Sequence, residues 1–375
     1  MIRQIFVTII GLMLFTIVMG QNGESVKEFK KAPYLLFNKD NSSMRVIWQA
    51  NNNSVSIISL YDNKDEVLST DTVANTTSDF VYIYDFKNLD SQKEYKYKVK
   101  INDESKIGSF YSRPTKSIKS FSFIAYGDTR TNPQDHDKVC KQMLQQIDAE
   151  RSLQTFIIST GDLVSNGDKE DVWQEQFFDD RYTNISKLLA SLPYMTSMGN
   201  HEGQGELFAK YFPYDLAQNN RFYYSFKYGN AQFIAVDQFT KLKAGSKQYV
   251  WLENELKASK SKWKIILIHK PGYTAGGHRD NKIVKNTLQP LFKKYNVNLV
   301  LAGHNHYYAR AEVNGITHIT TGGGGAPLYT PKQKHFIEKM DKSNHFLIIN
   351  VDENTMEIKS IRADGSIIEN ISINN

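Results

Sequence analysis

The sequence predicts a small all-β sandwich followed by a larger α/β domain. Three observations support this prediction. Short runs of alternating apolar and polar residues fill the region from about 29 to 114. From residue 118 onward, apolar strands alternate with longer amphipathic stretches. Five of these strands end in a residue that can bind a metal. The length of 375 residues also fits two domains better than one.

The first 20 residues have the pattern of a secretory signal peptide. A positively charged start that includes Arg3 precedes an apolar run over residues 5–19, and Gly20 precedes a polar stretch. The run is shorter than the ~20 residues that a membrane-spanning helix needs, so cleavage after Gly20 is favoured over an uncleaved anchor. We therefore expect a protein exported to the periplasm or the medium, without a stable membrane anchor.

The composition excludes several functional classes. Hydrophobic residues make up 40% and charged residues 23%, as in soluble globular proteins. The net charge of +6 favours anionic substrates, but no Lys/Arg-rich block with interleaved aromatic residues is present, so no nucleic-acid partner is expected. Cys140 is the single cysteine, which rules out an intramolecular disulfide, and we interpret it as a buried helical thiol.

The predicted sandwich covers residues 29–114. Its alternating runs are separated by clusters of Asn, Asp, Ser and Lys, and they are residues 44–48, 55–60, 81–84 and 95–101. Leu89, followed by Tyr95 and Tyr97, resembles the tyrosine corner of fibronectin type III domains. Trp48 is expected in the core. A turn-rich linker over residues 112–117 then leads into the second domain.

The predicted α/β domain covers residues 118–373. Apolar residues recur at helical spacing over residues 137–147, 248–256 and 283–295. Residues 345–373 return to short strands. The five strands that end in a possible ligand have a common form, an apolar run followed by a short polar motif. They end at Asp128, Asp162, Asn200-His201, His269 and His304-Asn-His306.

These strand ends predict a single site. In open α/β sheets, binding sites form beyond the carboxyl ends of the strands. A Gly-Asp pair alone is usually a turn, and an isolated histidine is usually structural. Five such endings in one domain are difficult to explain as turns. Glycines beside the ligands would let the backbone turn sharply there, and mixed carboxylate, amide and imidazole ligands suit Zn, Fe or Mn.

The order of the motifs resembles the calcineurin-like metallophosphoesterases. It reads Gly-Asp, Gly-Asp, Gly-Asn-His-Glu, His and Gly-His-Asn-His, and with the leading sandwich it is most similar to the purple acid phosphatases, over residues 30 to 350. The resemblance implies a β-sandwich flanked by helices, in αββα layers. It also implies two metal ions. Asp128 and His306 would bind one, Asn200, His269 and His304 would bind the other, and Asp162 would bridge both.

Two positions depart from the family pattern. Ser165 stands where purple acid phosphatases have a tyrosine that binds ferric iron, and Arg130 stands where many relatives have a histidine ligand. Arginine stays protonated and cannot bind a metal, but its fork is suited to a phosphate oxygen. His136 is the alternative residue to complete the first metal site, although a surface histidine at a helix start is an equally good interpretation.

The resemblance assigns further roles on the substrate side. His201 would protonate the leaving oxygen, and His278, in a glycine-rich loop, would line the substrate pocket. The glycine-rich segment over residues 320–327 would pack its backbone near the site. His318, His335 and His345 are interpreted as structural or exposed.

The expected function is hydrolysis of small phosphate monoesters by direct attack of a metal-bound hydroxide, as in acid phosphatases. A phosphodiesterase on the same scaffold is the first alternative. A secreted binding protein with an inactive phosphoesterase domain is the second, although every motif retains its ligands.

Overall fold

The computed structural model describes residues 27–217 and 222–375, and the predicted signal peptide lies outside them. The described residues begin with two antiparallel sheets formed by β1 (Phe29–Leu36), β2 (Met44–Ala50), β3 (Ser56–Tyr61), β4 (Val67–Val73), β5 (Val81–Phe86), β6 (Glu94–Ile101) and β7 (Glu104–Tyr111). Their orders are β1-β2-β5 and β4-β3-β6-β7. Trp48 is fully buried between them and stacks on Tyr82, with ring centroids 5.3 Å apart.

The first sheet of the α/β domain has six strands. They are β8 (Phe121–Tyr126), β9 (Ile157–Ser159), β10 (Tyr194–Thr196), β18 (His345–Val351), β19 (Thr355–Arg362) and β20 (Ile367–Asn374). Their order is β10-β9-β8-β18-β19-β20. The three strands β8, β9 and β10 run parallel, whereas the C-terminal strands are antiparallel. The carboxyl ends of β8 to β10 therefore meet at one edge.

The second sheet has seven strands. They are β11 (Tyr224–Tyr228), β12 (Ala231–Ala235), β13 (Trp263–Leu267), β14 (Leu299–Ala302), β15 (Tyr308–Val313), β16 (Ile316–Thr321) and β17 (Ile337–Asp341). Their order is β11-β12-β13-β14-β16-β15-β17, with β12, β13, β14 and β16 parallel.

Helices cover the outer faces of both sheets. In the described ranges they are α1 (Pro133–Ala149), α2 (Glu170–Gln176), α3 (Thr183–Leu189), α4 (Glu206–Tyr211), α5 (Lys247–Ala258) and α6 (Gln289–Lys294). A 3₁₀ turn, Arg151–Leu153, follows α1, and a π-helical turn, Val284–Leu288, leads into α6. None of the described helices is both long and apolar enough to span a membrane.

Side chains alternate along each strand and so contribute to apolar packing on both faces of a sheet, between the two sheets and beneath the helices. Between the sheets, Phe123 of β8 meets Phe233 of β12 edge-on, with ring centroids 5.1 Å apart. Ile265 joins the same core, whereas its neighbour Ile266 packs with Leu252 and other residues on the helix side. Successive strand side chains point to opposite faces, so strands covered on both sides are apolar throughout. The predicted α/β domain with a leading all-β unit is thus confirmed.

The β-sandwich packs against the α/β domain through buried polar contacts. Tyr34 of β1 donates a 2.7 Å hydrogen bond to the carbonyl of Tyr211. Lys31 of β1, whose side chain is fully buried, lies 2.7 Å from Glu170 at the start of α2. Arg113, in the predicted linker, is also buried, and its guanidinium lies over the Phe37 ring at 4.5 Å.

Candidate metal centre

Six side chains converge at the carboxyl edge of the two sheets. Asp128, Asp162 and Asn200 follow β8, β9 and β10 of the first sheet, and His269 and the His304–His306 pair follow β13 and β14 of the second. Because all five strands are parallel within their own sheets and end at this edge, residues up to 178 positions apart in the sequence, from 128 to 306, come together. These are the residues for which the sequence predicts metal binding.

The ligand atoms form two groups that share one carboxylate. Asp162, His269 and His304 make up one group and Asp128, Asp162 and His306 the other, with the ligand atoms of each within 4.8 Å of one another. Asn200 lies beside the first group, since its Oδ1 is 3.2 Å from His269 Nε2. A carboxylate common to two ligand groups is the arrangement that a bridged pair of metal ions requires.

The backbone around the ligands is strained and tightly packed. Asp128, Asp162 and His304 have φ angles of 57°, 56° and 67°, in the left-handed region that residues with a Cβ seldom adopt. Gly199 and Gly303 are required beside them. A Cβ on Gly199 would lie 2.2 Å from Asp162 Oδ1, and one on Gly303 would lie 2.3 Å from Asp128 Oδ2. Strain of this kind persists where the surrounding structure enforces it, most often at functional sites.

Backbone carbonyls fix the tautomers of two ligand histidines. Nδ1 of His269 donates to the carbonyl of Thr160 at 2.8 Å, and Nδ1 of His306 donates to that of Pro327 at 2.7 Å. A carbonyl can only accept, so each Nδ1 carries a proton and Nε2 is the nitrogen left to bind a metal. This is the outer hydrogen bond that metal-binding histidines use to hold their orientation.

Burial and mutual charge set the protonation of the cluster. Burial raises the pKa of Asp128. Burial also opposes ionisation of Asp162, but His269, with Nε2 at 3.2 Å, outweighs it and lowers the pKa of that carboxyl. Burial lowers the pKa of His304 to about 2 and that of His306 to about 4, which keeps both imidazoles neutral. Burial opposes protonation of His269, but Asp162 outweighs it and raises the pKa of this imidazole to about 9, so His269 holds a second proton when no metal is bound. Two carboxylates and three imidazoles form a donor set that fits Zn, Fe or Mn, and cation binding would displace the protons that this set still holds.

Glu202 is a buried member of the site to which the sequence analysis assigned no role. Its carboxylate accepts hydrogen bonds from the backbone N–H groups of Asp162, Leu163 and Gly199, at 3.0, 2.6 and 2.6 Å. It thereby joins the turn after β9 to the turn after β10. Its position directly after Asn200-His201 could have indicated from the sequence that Glu202 belongs to the site.

Arg130 and His201 lie on the open side of the ligand cluster. Arg130 Nη2 is 3.3 Å from His306 Nε2, and its Nε is 3.5 Å from Asp162 Oδ2. Nε2 of His201 lies 3.8 Å from Asp162 Oδ2, and its Nδ1 donates to the carbonyl of Ser165 at 2.8 Å. A cation and an imidazole therefore border the carboxylate that the two ligand groups share.

Two aromatic stacks line the other side of the opening. The ring of His278 stacks on that of His304, with centroids 4.0 Å apart, and Tyr329 stacks on His306 at 4.2 Å. The His278 backbone N–H is held by the side chain of Asn305 at 2.7 Å. His278 is exposed, as a residue that meets a ligand from solvent must be. Tyr329 was not identified from the sequence, because nothing local marks it.

His136 does not complete the first metal site. It is fully buried in α1, where its Nε2 lies 2.8 Å from the hydroxyl of Tyr126, and burial lowers its pKa to about 3. The two interpretations made from the sequence, a metal ligand or a surface histidine, are both wrong. His136 shares the inward face of α1 with Val139, Cys140 and Met143, and this helical spacing could have revealed its burial.

The glycine-rich segment over residues 320–327 packs its backbone beside Asp128, the first candidate ligand. The N–H of Gly324 donates to the carbonyl of Gly127 at 2.8 Å, and that of Ala326 donates to the carbonyl of Asp128 at 2.9 Å. Of the remaining histidines, His318 and His345 are buried and His335 is exposed. None of these three belongs to the two ligand groups.

Known proteins resemble this chain in sequence and fold. A purple acid phosphatase of Glycine max is 26% identical over 276 residues, which cover 68% of this chain and 58% of that protein. Fe(3+)-Zn(2+) purple acid phosphatase 12 of Arabidopsis thaliana is 27% identical over 179 residues, 43% of this chain and 38% of that one. The chain therefore spans less than two thirds of these relatives.

The fold agrees with a solved structure, purple acid phosphatase PPD1 from yellow lupin seeds. The TM-score is 0.76 at 20% identity, over 92% of this chain and 74% of that one. The family model for calcineurin-like phosphoesterases matches residues 121–308, half of the chain, and this range contains the six candidate ligands. The chain belongs to the calcineurin-like phosphoesterase family.

Proposed function

We propose that this protein is an exported phosphoesterase that hydrolyses small phosphate monoesters with two metal ions, as an acid phosphatase does. The observation that carries the proposal is Asp162, which belongs to both ligand groups at the carboxyl edge of the sheets. Family membership supports the same reaction class, and the Arabidopsis relative is named for iron and zinc. Fe, Zn and Mn all suit the ligand set.

In this proposal the ligands divide between two metals. Asp128 and His306 would hold one ion, Asn200, His269 and His304 would hold the other, and Asp162 would be a ligand common to both. When bound, such ions supply an activated water as nucleophile and offset the charge of the phosphate.

The side chains on the open side would bind the phosphate and the leaving group. Arg130, whose side chain is 14% exposed and lies beside Asp162, would donate to a phosphate oxygen. His201 is held at Nδ1 by the Ser165 carbonyl, so its Nε2 is the atom that would carry a proton to the leaving oxygen. His278 would contact the substrate from the rim.

Arg130 is also the reason to propose monoesters rather than diesters. A monoester dianion has one more terminal oxygen than a diester, and two metals accommodate two of the oxygens. A diester would leave a partly buried guanidinium without a good partner. A phosphodiesterase on the same scaffold stays the second candidate because metal ligands alone do not set the ester type.

The proposal extends to export and to the leading β-sandwich. Cleavage after Gly20 would deliver the mature protein to the periplasm or the medium. A fibronectin type III-like unit is supported by the Tyr95 hydroxyl, which accepts a 3.0 Å hydrogen bond from the N–H of Asp90. N-terminal sequencing of the mature protein tests the cleavage, and Met1 retained on a membrane fraction would contradict it.

A panel of phosphate mono- and diesters, assayed with the metal content measured in parallel, tests the activity. We expect about two metal ions per chain and faster hydrolysis of monoesters. Faster hydrolysis of diesters would favour the phosphodiesterase. Full metal loading without hydrolysis of any ester would favour a binding protein with an inactive phosphoesterase domain.

A further inference from the structure

The side chain of Gln176 connects two loops of the candidate site. Gln176 is the last residue of α2, and its Oε1 accepts from the N–H of Ser165 at 2.8 Å and from the N–H of Thr131 at 2.9 Å. Its Nε2 donates to Ser165 Oγ at 2.8 Å. Backbone N–H groups can only donate, so the amide oxygen must face both of them, which fixes the orientation of the amide.

The first of these loops carries Arg130. Thr131 has a φ of 78°, a conformation that costs a β-branched residue energy, and its N–H is held by Gln176. Thr131 Oγ1 in turn accepts from Arg130 Nη1 at 3.0 Å. The contact with Gln176 therefore stabilises a strained turn from which the guanidinium extends toward Asp162.

The second loop orients His201. The carbonyl of Ser165 accepts a hydrogen bond from His201 Nδ1 at 2.8 Å, and Gln176 holds the same residue at its N–H and its hydroxyl. The carbonyl that sets the His201 tautomer is thus fixed by Gln176. Ser165 is also the position at which the sequence departs from the tyrosine of purple acid phosphatases.

We propose that Gln176 is a positioning residue that sets the Arg130 guanidinium and the His201 imidazole relative to each other across the bridging carboxylate. The inference deepens the proposed function, since it takes Arg130 and His201 as the groups that meet the phosphate. A second connection, from Thr129 Oγ1 to the carbonyl of Leu163 at 3.0 Å, joins the same loops closer to the sheet. Loss of the Gln176 contacts should therefore displace the two side chains and leave the metal ligands in place.

The test is the substitution Gln176→Met, which keeps the length of the side chain and removes all three hydrogen bonds. Gln174→Met on the same helix is the matched control, because Gln174 donates only to the carbonyl of Phe178, at 3.3 Å. Both variants are made in the full chain and loaded with metal. If Gln176→Met fails to fold, Gln176→Ala, which leaves room for water, replaces it.

Three quantities are measured for each variant, namely metal content, affinity for inorganic phosphate, and the ¹⁵N signals of the His201 imidazole. For Gln176→Met we expect unchanged metal content, phosphate affinity lower by about tenfold or more, and loss of the signal of a protonated Nδ1. In an Arg130→Ala background the same substitution should change phosphate affinity by less than about threefold, because its effect passes through Arg130. Gln174→Met should match wild type.

Unchanged phosphate affinity and an unchanged His201 signal in Gln176→Met would overturn the proposal. So would a full loss of affinity that persists in the Arg130→Ala background, or a loss of metal equal to the loss of affinity. A failure of the proposed function is recognised separately. In that case wild type would hydrolyse no phosphate ester. The tautomer of His201, compared between Gln176→Met and Gln174→Met, would still decide the role of Gln176.

Discussion

Nε2 of His269 lies 3.2 Å from Oδ1 of Asp162, and this contact joins the two sheets at the carboxyl edge, where the candidate site lies. One residue follows β13 and the other follows β9, so neither sheet alone contains the site. Asp162 is 1% exposed and also accepts from the N–H of His201 at 2.9 Å. Because the Asp162 carboxylate is buried and contacts residues of both sheets, we expect the site to be sensitive to substitution at this position.

Replacement of Asp162 should release metal without unfolding the protein. In Asp162→Ala, both ligand groups lose the member that they share, so metal content should fall and hydrolysis should decrease by orders of magnitude. Circular dichroism should stay close to wild type because the apolar core between the sheets is untouched. Elemental analysis gives the metal content, and Asp364→Ala in a distant exposed turn is the control. Near-wild-type turnover would exclude Asp162 as the bridging ligand.

Arg130→Ala should separate monoester from diester hydrolysis. Loss of one charged hydrogen bond, worth ~1.5–3 kcal/mol, should lower kcat/KM for a monoester by roughly 10- to 100-fold. Diester hydrolysis should change little. Arg181→Ala, which removes an exposed guanidinium that pairs with Asp179, should have no effect on either. An equal loss of both activities would mean that Arg130 organises the metal ligands instead.

Iron-loaded protein should lack the visible absorption band of a tyrosinate bound to ferric iron. The side chain at position 165 is a serine, and it is engaged with Gln176 at 2.8 Å. An absorption spectrum of the iron-loaded protein is the measurement. If a band appears, another tyrosine binds the iron, and Tyr329→Phe tests the residue whose ring stacks on His306. Retention of the band in that variant would exclude Tyr329 as its source.

The Lys31–Glu170 contact should make stability depend on pH in the acid range. Burial opposes ionisation of Glu170, but hydrogen bonds from Lys31 and Tyr211 outweigh it and lower its pKa to about 2. A lowered folded-state pKa adds stability above the ordinary value of 4.5, and that stability is lost as the pH falls from about 4.5 toward 2. Glu170→Gln should therefore flatten the fall in unfolding free energy over this range.

At neutral pH the same variant should be destabilised, because Lys31 would stay buried without its anion. We expect a loss of ~1–3 kcal/mol in the free energy of unfolding, below the cost of a fully buried pair, since Glu170 is one-third exposed. Lys27→Met is the control. It breaks an exposed pair with Asp180 across the same interface and should cost less than ~1 kcal/mol. Equal effects of the two substitutions, measured by chemical denaturation, would contradict this account.

The sequence alone determined the fold class and the kinds of residue at the site. Strand periodicity and helical spacing are local properties, so β2, β3, β5 and β6 and the helices α1 and α5 were predicted within a few residues. The short helices α2, α3 and α4 and strands such as β4 were not, because tertiary contacts rather than local pattern stabilise them. The motifs after apolar strands, together with the family resemblance that they carry, predicted the six candidate ligands, because each of them closely follows the strand that positions it.

Only the tertiary structure decided how these residues meet. The stack of His278 on His304 and the burial of His136 depend on which strands pair and on how α1 turns against its sheet. The contacts of Gln176 and Lys31 join residues 11 and 139 positions away in the sequence. Contacts between residues so far apart depend on how the elements pack, and no local pattern encodes them. A glutamine at the end of a short helix or a lysine in a strand is ordinarily solvated, so its residue type gives no indication of such a contact.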